Sequence, residues 1–128
     1  MFSHIVVGAN DLDKAKSFYD AIFAAVGVEP GARFGETRIS YRKPGAASFL
    51  VTRPINGQAA SFANGGTIGF SADSPQTVDA WHAAGCANGG QSCEDPPGVR
   101  DMGFTKLYLA YLRDPDGNKL CAMAAVPA

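Results

Sequence analysis

The sequence is poor in most of the features that mark specialised classes of protein. Its three cysteines, Cys86, Cys93 and Cys121, are odd in number, widely separated and without a Cys-x-x-Cys spacing. Neither a disulfide framework nor a structural zinc site is therefore expected, and free thiols suit a reducing compartment. No apolar run reaches membrane-spanning length, and Met1–Val7 has neither a charged leader nor a small-residue cleavage site. A cytoplasmic protein with no membrane partner is the expectation. Lys and Arg number 11 against 12 Asp and Glu, with no long basic stretch. A nucleic-acid partner is not expected, because nothing would neutralise a run of phosphates.

What is present suits one compact domain. Hydrophobic residues make up 46% and charged residues 18% of 128 positions, close to the globular average and enough for a real core. Phe2–Val7 reads as a buried strand ending at the turn Gly8-Ala9-Asn10. A helix is expected next, capped by Asp11, with Ala15, Phe18, Ile22, Ala25 and Val26 forming its apolar stripe and Gly27 ending it. Strands at 37–42 and 47–53 form a hairpin around Lys43-Pro44-Gly45-Ala46, and 31–34 adds a further extended piece. The Gly-rich stretch 55–66 has no clear period and reads as a connection.

The opening pattern then recurs. Thr67 to Ser74 mirrors His4 to Asp11 at a constant offset of 63, and Val78 and Trp81 fall opposite Ala15 and Phe18. Ser74 caps this second helix, Pro75 takes its first position, and Gly85 is read as its end. A loop over 87–103 and a hairpin, 106–113 with 119–124 around Asp114-Pro115-Asp116-Gly117-Asn118, complete the chain. The chain thus reads as two modules, about 1–54 and 67–128, each a strand, a helix and antiparallel strands. Sheets covered by a helix on one face leave the other faces to line a shared cleft.

His4 in the first strand, Asn10-Asp11-Leu12 with Phe18-Tyr19 in the first helix, and the run from Arg113 to Leu120 together resemble the vicinal-oxygen-chelate superfamily of glyoxalases, bleomycin-resistance proteins and extradiol dioxygenases. The resemblance spans nearly the whole chain. It implies an α+β fold of two paired βαβββ modules forming an open, cup-shaped mixed sheet with helices outside, the glyoxalase-like fold, often completed as a homodimer. Whether one chain closes its own cleft or exchanges modules with a second is left open.

The resemblance also implies a divalent metal held by four side chains that binds two substrate oxygens. Carried over position by position, those places are His4, Leu50, Thr67 and Cys121. Only His4 is an ordinary ligand, so no metal cofactor is expected and a divalent ion is disfavoured. The candidate catalytic residues are His4, Tyr111 and Cys121. Tyr111 matches a ligand-facing position of similar fosfomycin-resistance proteins, and strand alternation puts it on one face with Leu109 and Arg113. Each has a plainer reading: His4 as a cleft histidine, Cys121 as a small buried residue, Tyr111 as a tyrosine bonded to backbone. His82 is expected half-exposed beside the inward Trp81, and Arg38, Arg42 and Arg53 as possible carboxylate clamps or solvent-facing cations. The segment with Glu94, Asp95, Pro96 and Pro97 is the lid candidate and a source of a general base. Two functions follow from the resemblance: glyoxalase-like lyase or isomerase chemistry on a small molecule, or metal-free sequestration of a small, antibiotic-type ligand.

Overall fold

A computed structural model describes residues 1–127. The elements among these residues run in the order β1 (His4–Gly8), α1 (Leu12–Ala25), β2 (Ala32–Phe34), β3 (Arg38–Tyr41), β4 (Ser48–Thr52), β5 (Ile68–Ser71), α2 (Pro75–Ala87), β6 (Gln91–Ser92), β7 (Gly98–Asp101), β8 (Lys106–Arg113) and β9 (Lys119–Ala125). Two sheets result. The first has the order β1-β4-β3-β2; the second has the order β5-β9-β8-β6, with β7 also on β8. In each sheet the strand before the helix returns as an edge strand parallel to the last strand of its module, His4 opposite Ser48 and Ile68 opposite Leu120. The fold is the glyoxalase-like α+β arrangement.

Both helices begin as their residue types dictate. The Asp11 side chain accepts from Lys14 N at 3.1 Å, and Ser74 Oγ accepts from Thr77 N at 3.1 Å, with Pro75 where a missing N–H costs nothing. Gly27, at φ 79°, carries the chain out of α1. Strand alternation sends Phe49, Val51, Ile39 and Tyr41 from the first sheet, and Ala110, Leu112, Leu120 and Ala122 from the second, into one buried cluster with Phe18, Tyr19, Ile22, Phe23, Val78 and Trp81 of the helices. Phe23 and Phe49 of the first module meet Phe70 of the second at ring separations of 5.1 and 5.6 Å, both edge-on. The helix-facing sides of both sheets therefore share a single core.

Two expectations are corrected. Gly85 does not end the second helix, which runs on to Ala87. It is there for space: a Cβ would lie 2.3 Å from Leu112 Cδ1 and 3.2 Å from Ile22 and Phe18 carbons, so its absence lets α2 lie against both β8 and α1. The segment 87–103 is not one long loop, because Gln91–Ser92 and Gly98–Asp101 each pair antiparallel with β8, at its two ends. A two-residue ladder and a strand opening on glycine carry almost no periodic signal.

The turn between β8 and β9 ties the modules together. Asp114, 5% exposed, accepts four hydrogen bonds. Three come from its own turn: Asp116 N and Asn118 N at 2.9 Å, and Asn118 Nδ2 at 2.8 Å. The fourth is from the Tyr19 hydroxyl on α1 at 2.6 Å. Asn118 Nδ2 also reaches Gly8 O, and Asn10 N donates to Asp116 Oδ1. Burial, and then the Asp114 charge, push the Tyr19 phenol well above its ordinary value, so it remains a donor. Replacing Tyr19 with Phe keeps the ring and leaves one lone-pair site of a buried carboxylate unfilled. The expected outcome is a loss of about 1–3 kcal/mol, seen in urea denaturation as a lower midpoint with an unchanged slope; an unchanged midpoint would mean that the turn holds without α1.

Candidate functional site

The sheet faces turned away from the helices are lined by alternate strand residues. On the first sheet these include His4 and Val6 of β1, Ser48 and Leu50 of β4, and Arg38 and Ser40 of β3. On the second sheet, Tyr111 of β8 stands directly opposite Cys121 of β9, which in turn stands opposite Gly69 of β5. Opposed residues in a ladder share a face, so Tyr111 and Cys121 are adjacent. Gly69 is exposed, with nothing within 4 Å of where its Cβ would be, and it leaves the space beside Cys121 open.

The structure brings Tyr111 and Cys121 together and adds groups that were not grouped with them in sequence. Lys119 lies two residues before Cys121 on the same face, with its ammonium 5.0 Å from the centre of the Tyr111 ring. Its ion-pair partner is Glu94. The alternation applied to β8 would have found Lys119 had it been applied to β9 as well. Cys93 continues the row, its N–H donating to Tyr111 O at 3.4 Å. Burial raises the Cys121 thiol, which is 8% exposed, and burial followed by the neighbouring Cys121 and Glu94 raises the Tyr111 phenol. Both are neutral near pH 7 and present hydrogens rather than charge. The hydrogen bond with Glu94 raises the Lys119 ammonium, which stays charged.

Of the remaining candidates Glu94 belongs to this cluster. His4 is exposed, and its Nδ1 is 2.8 Å from Ser3 Oγ. Leu50 faces the same side as His4, opposite Val6, and Thr67 is exposed just before β5. His82 is half-buried on α2, with Nε2 2.9 Å from Ser92 Oγ. Arg38 lies over the Phe34 ring, Arg42 Nε donates to Ser40 Oγ at 3.3 Å, and Arg53 is exposed beyond β4. Glu94, Asp95, Pro96 and Pro97 span β6 and β7, pinned by Arg100 Nη2 donating to Asp95 O and Pro96 O at 3.0 Å. Among the described residues no group of three or more His, Cys, Asp and Glu side chains could hold a metal ion, and no helix is long and apolar enough to cross a membrane.

Two concavities flank the junction of β1 with β5. The larger, 420 Å³, opens onto Phe23, Phe49 and Phe70 beneath the first hairpin turn and touches neither Tyr111 nor Cys121. The smaller, 330 Å³, is lined by Val6 and Gly8 of the first module, Ser61 of the connection, and Thr67, Asn118 and Lys119 of the second. It is the one that adjoins the polar cluster, through Lys119, and it draws walls from both modules.

A search of curated proteins returns no match. Among solved structures, a glyoxalase/bleomycin resistance protein from Albidiferax ferrireducens T118 superposes with a TM-score of 0.93 at 57% identity, covering 97% of this chain and 98% of that one. A glyoxalase/bleomycin resistance protein/dioxygenase family enzyme from Burkholderia phytofirmans PsJN shares the fold at a TM-score of 0.72 and 15% identity, covering 97% and 98%. Lactoylglutathione lyase from Agrobacterium tumefaciens does so at 0.66 and 22%, covering 97% and 92%. The sequence pattern of one family matches residues 1–122, and with the paired modules it settles membership: the chain belongs to the glyoxalase/bleomycin resistance protein/dioxygenase superfamily.

Proposed function

We propose that this chain binds a small molecule on the open faces of its sheets without a resident divalent metal. The observation that carries this reading is the donor set at the four places where the superfamily implies metal ligands. Leu50 has no donor atom, Thr67 offers only a neutral hydroxyl, and Cys121 is a buried thiol whose ionisation burial opposes. His4 alone is an imidazole, and a catalytic zinc site normally needs three protein ligands. Hard cations that prefer oxygen find still less here. What these residues can do instead is bind: Tyr111 supplies a hydroxyl donor and a ring, Lys119 a charge, and Val6 and Met123, 48% and 41% exposed, apolar surface.

Those apolar side chains lie on open sheet faces, and Phe34, Val99, Met102 and Phe104 are exposed as well. Large apolar side chains exposed on sheet faces suit cover by a partner surface. The reading therefore includes a homodimer in which a second copy completes each cleft. A second reading, lyase or isomerase chemistry on a small oxygenated molecule, is favoured by the Glu94 carboxylate, a general-base candidate beside Tyr111.

Protein purified without chelators is expected to carry substoichiometric zinc, manganese, nickel and iron by elemental analysis; one equivalent of any of them overturns the metal-free reading. A thermal-shift screen of glutathione conjugates, hydroxy acids and cationic antibiotics is expected to yield compounds that raise the midpoint, since a ligand selective for the folded state must stabilise it. A flat response across the library counts against binding. In sedimentation the protein is expected to run at twice the chain mass of 13.3 kDa. A monomer at high micromolar concentration would remove the second copy from the cleft.

A further inference from the structure

On the second module's open face one cation is held by a carboxylate that the backbone presents in an unusual way. Glu94, at φ 57°, is the one non-glycine residue with positive φ among the described residues. A long side chain is uncommon in that region, where glycine, asparagine and aspartate are better suited. Two sets of contacts hold it there. Its carboxylate pairs with Lys119, and Arg100 fixes the two peptide carbonyls that follow it. Lys119 also lines the 330 Å³ cavity, while its ammonium stands over the Tyr111 ring. One side chain therefore joins the open space to the polar cluster, and its charge is already answered by a carboxylate on a bent segment.

We propose that Lys119 is the recognition residue for a small, largely apolar molecule bearing one carboxylate, and that Glu94 occupies its ammonium as an internal surrogate which the ligand displaces. The class follows from the groups available. One ammonium and one phenolic hydroxyl match a monoanion with two acceptor oxygens, whereas a phosphate dianion would call for further free cations: Arg113, opposite Lys119 in the ladder, already donates to Gly117 O and lies over the Phe62 ring, and Arg100 already donates to Asp95 O and Pro96 O. The rest of the ligand meets Val6 in the cavity wall and Met123 two residues beyond Cys121, both apolar and exposed. Displacement releases Glu94 into solvent and relaxes the segment between β6 and β7, so that segment opens as the ligand enters. This inference rests on the reading that the open face is the ligand site, and it adds the chemical class and the competitor.

The test is a titration of the full chain with phenylacetate and its uncharged counterpart phenylacetamide, followed by amide chemical shifts in NMR. Phenylacetate is expected to shift the amides of Glu94, Tyr111 and Lys119, and phenylacetamide to leave them in place. Lys119→Met is expected to weaken phenylacetate binding by at least about tenfold, the loss of a charged hydrogen bond. Glu94→Gln removes the competitor and is expected to tighten it about threefold, the scale of an exposed ion pair. Melting curves for both variants establish that they fold. Equal affinity for the two probes overturns the carboxylate inference and leaves the binding reading standing. Weaker binding in Glu94→Gln overturns it too, since Glu94 would then be a strap that builds the site. If neither probe shifts these amides, the inference falls, and the broad library screen decides the binding reading separately.

Discussion

The arrangement of the two modules depends on a single buried carboxylate. Asp114 is shielded from water, and a charge in that position is tolerable only when its oxygens are filled. Its own turn fills three acceptor positions and Tyr19 the fourth, so the turn must be closed and α1 must be at hand. The same turn then grips the end of β1 through Asn118 and the start of α1 through Asp116. Asn10, whose N–H meets that turn, accepts from Ala60 N with its side chain at 2.7 Å, which draws the connection between modules onto the same point. Lys119 follows Asn118 directly, so the turn also fixes where the open face of the second sheet begins.

The core sets the complementary constraint. Both helices lie against one shared aromatic cluster, and their approach needs the missing side chain of Gly85. With the inner faces of both sheets committed to this core, chemistry is confined to the outer faces and to the junction of β1 with β5, where the two concavities lie. Each strand then offers alternate residues to that chemistry, and the ladder decides which of them are neighbours.

Much of the fold was legible because it repeats. The offset of 63 residues from His4 to Thr67 carried strand, cap and helix stripe into the second module, and Asp11 and Ser74 cap their helices as their side chains dictate. Gly85 was misread because a glycine near a helix end has two causes, a left-handed exit or close packing, and sequence cannot separate them. Strands β6 and β7 escaped notice because their pairing partner, not their composition, makes them strands. Of the site, the Tyr111 face was legible from alternation along β8. The Lys119–Glu94 pair was not, since it joins residues 25 positions apart through a backbone bend that no local pattern marks. Asp114 looked like an ordinary turn residue, and its burial against Tyr19 depends on packing 95 residues away in sequence.

The substitutions at the family's ligand places and the cluster around Tyr111 bear on each other. A divalent ion in such a cleft would be the strongest local charge and would order the oxygens of whatever binds. On the proposed metal-free reading, with Leu50, Thr67 and a neutral Cys121 in those places, the field of the face comes from fixed side chains. His4, on the first sheet, has Ser3 as its hydrogen-bond partner, and on the second sheet the Lys119 ammonium stands 5.0 Å from the centre of the Tyr111 ring, with Arg100 as well as Lys119 acting on Cys121. An ammonium carries half the charge of a divalent ion and cannot chelate, so it favours one anionic group over two vicinal oxygens. It is also a weaker organiser, and it keeps its position only while something answers its charge. On the proposed reading that role falls to Glu94 when no ligand is bound, which fits a long acidic side chain in a backbone conformation better suited to glycine.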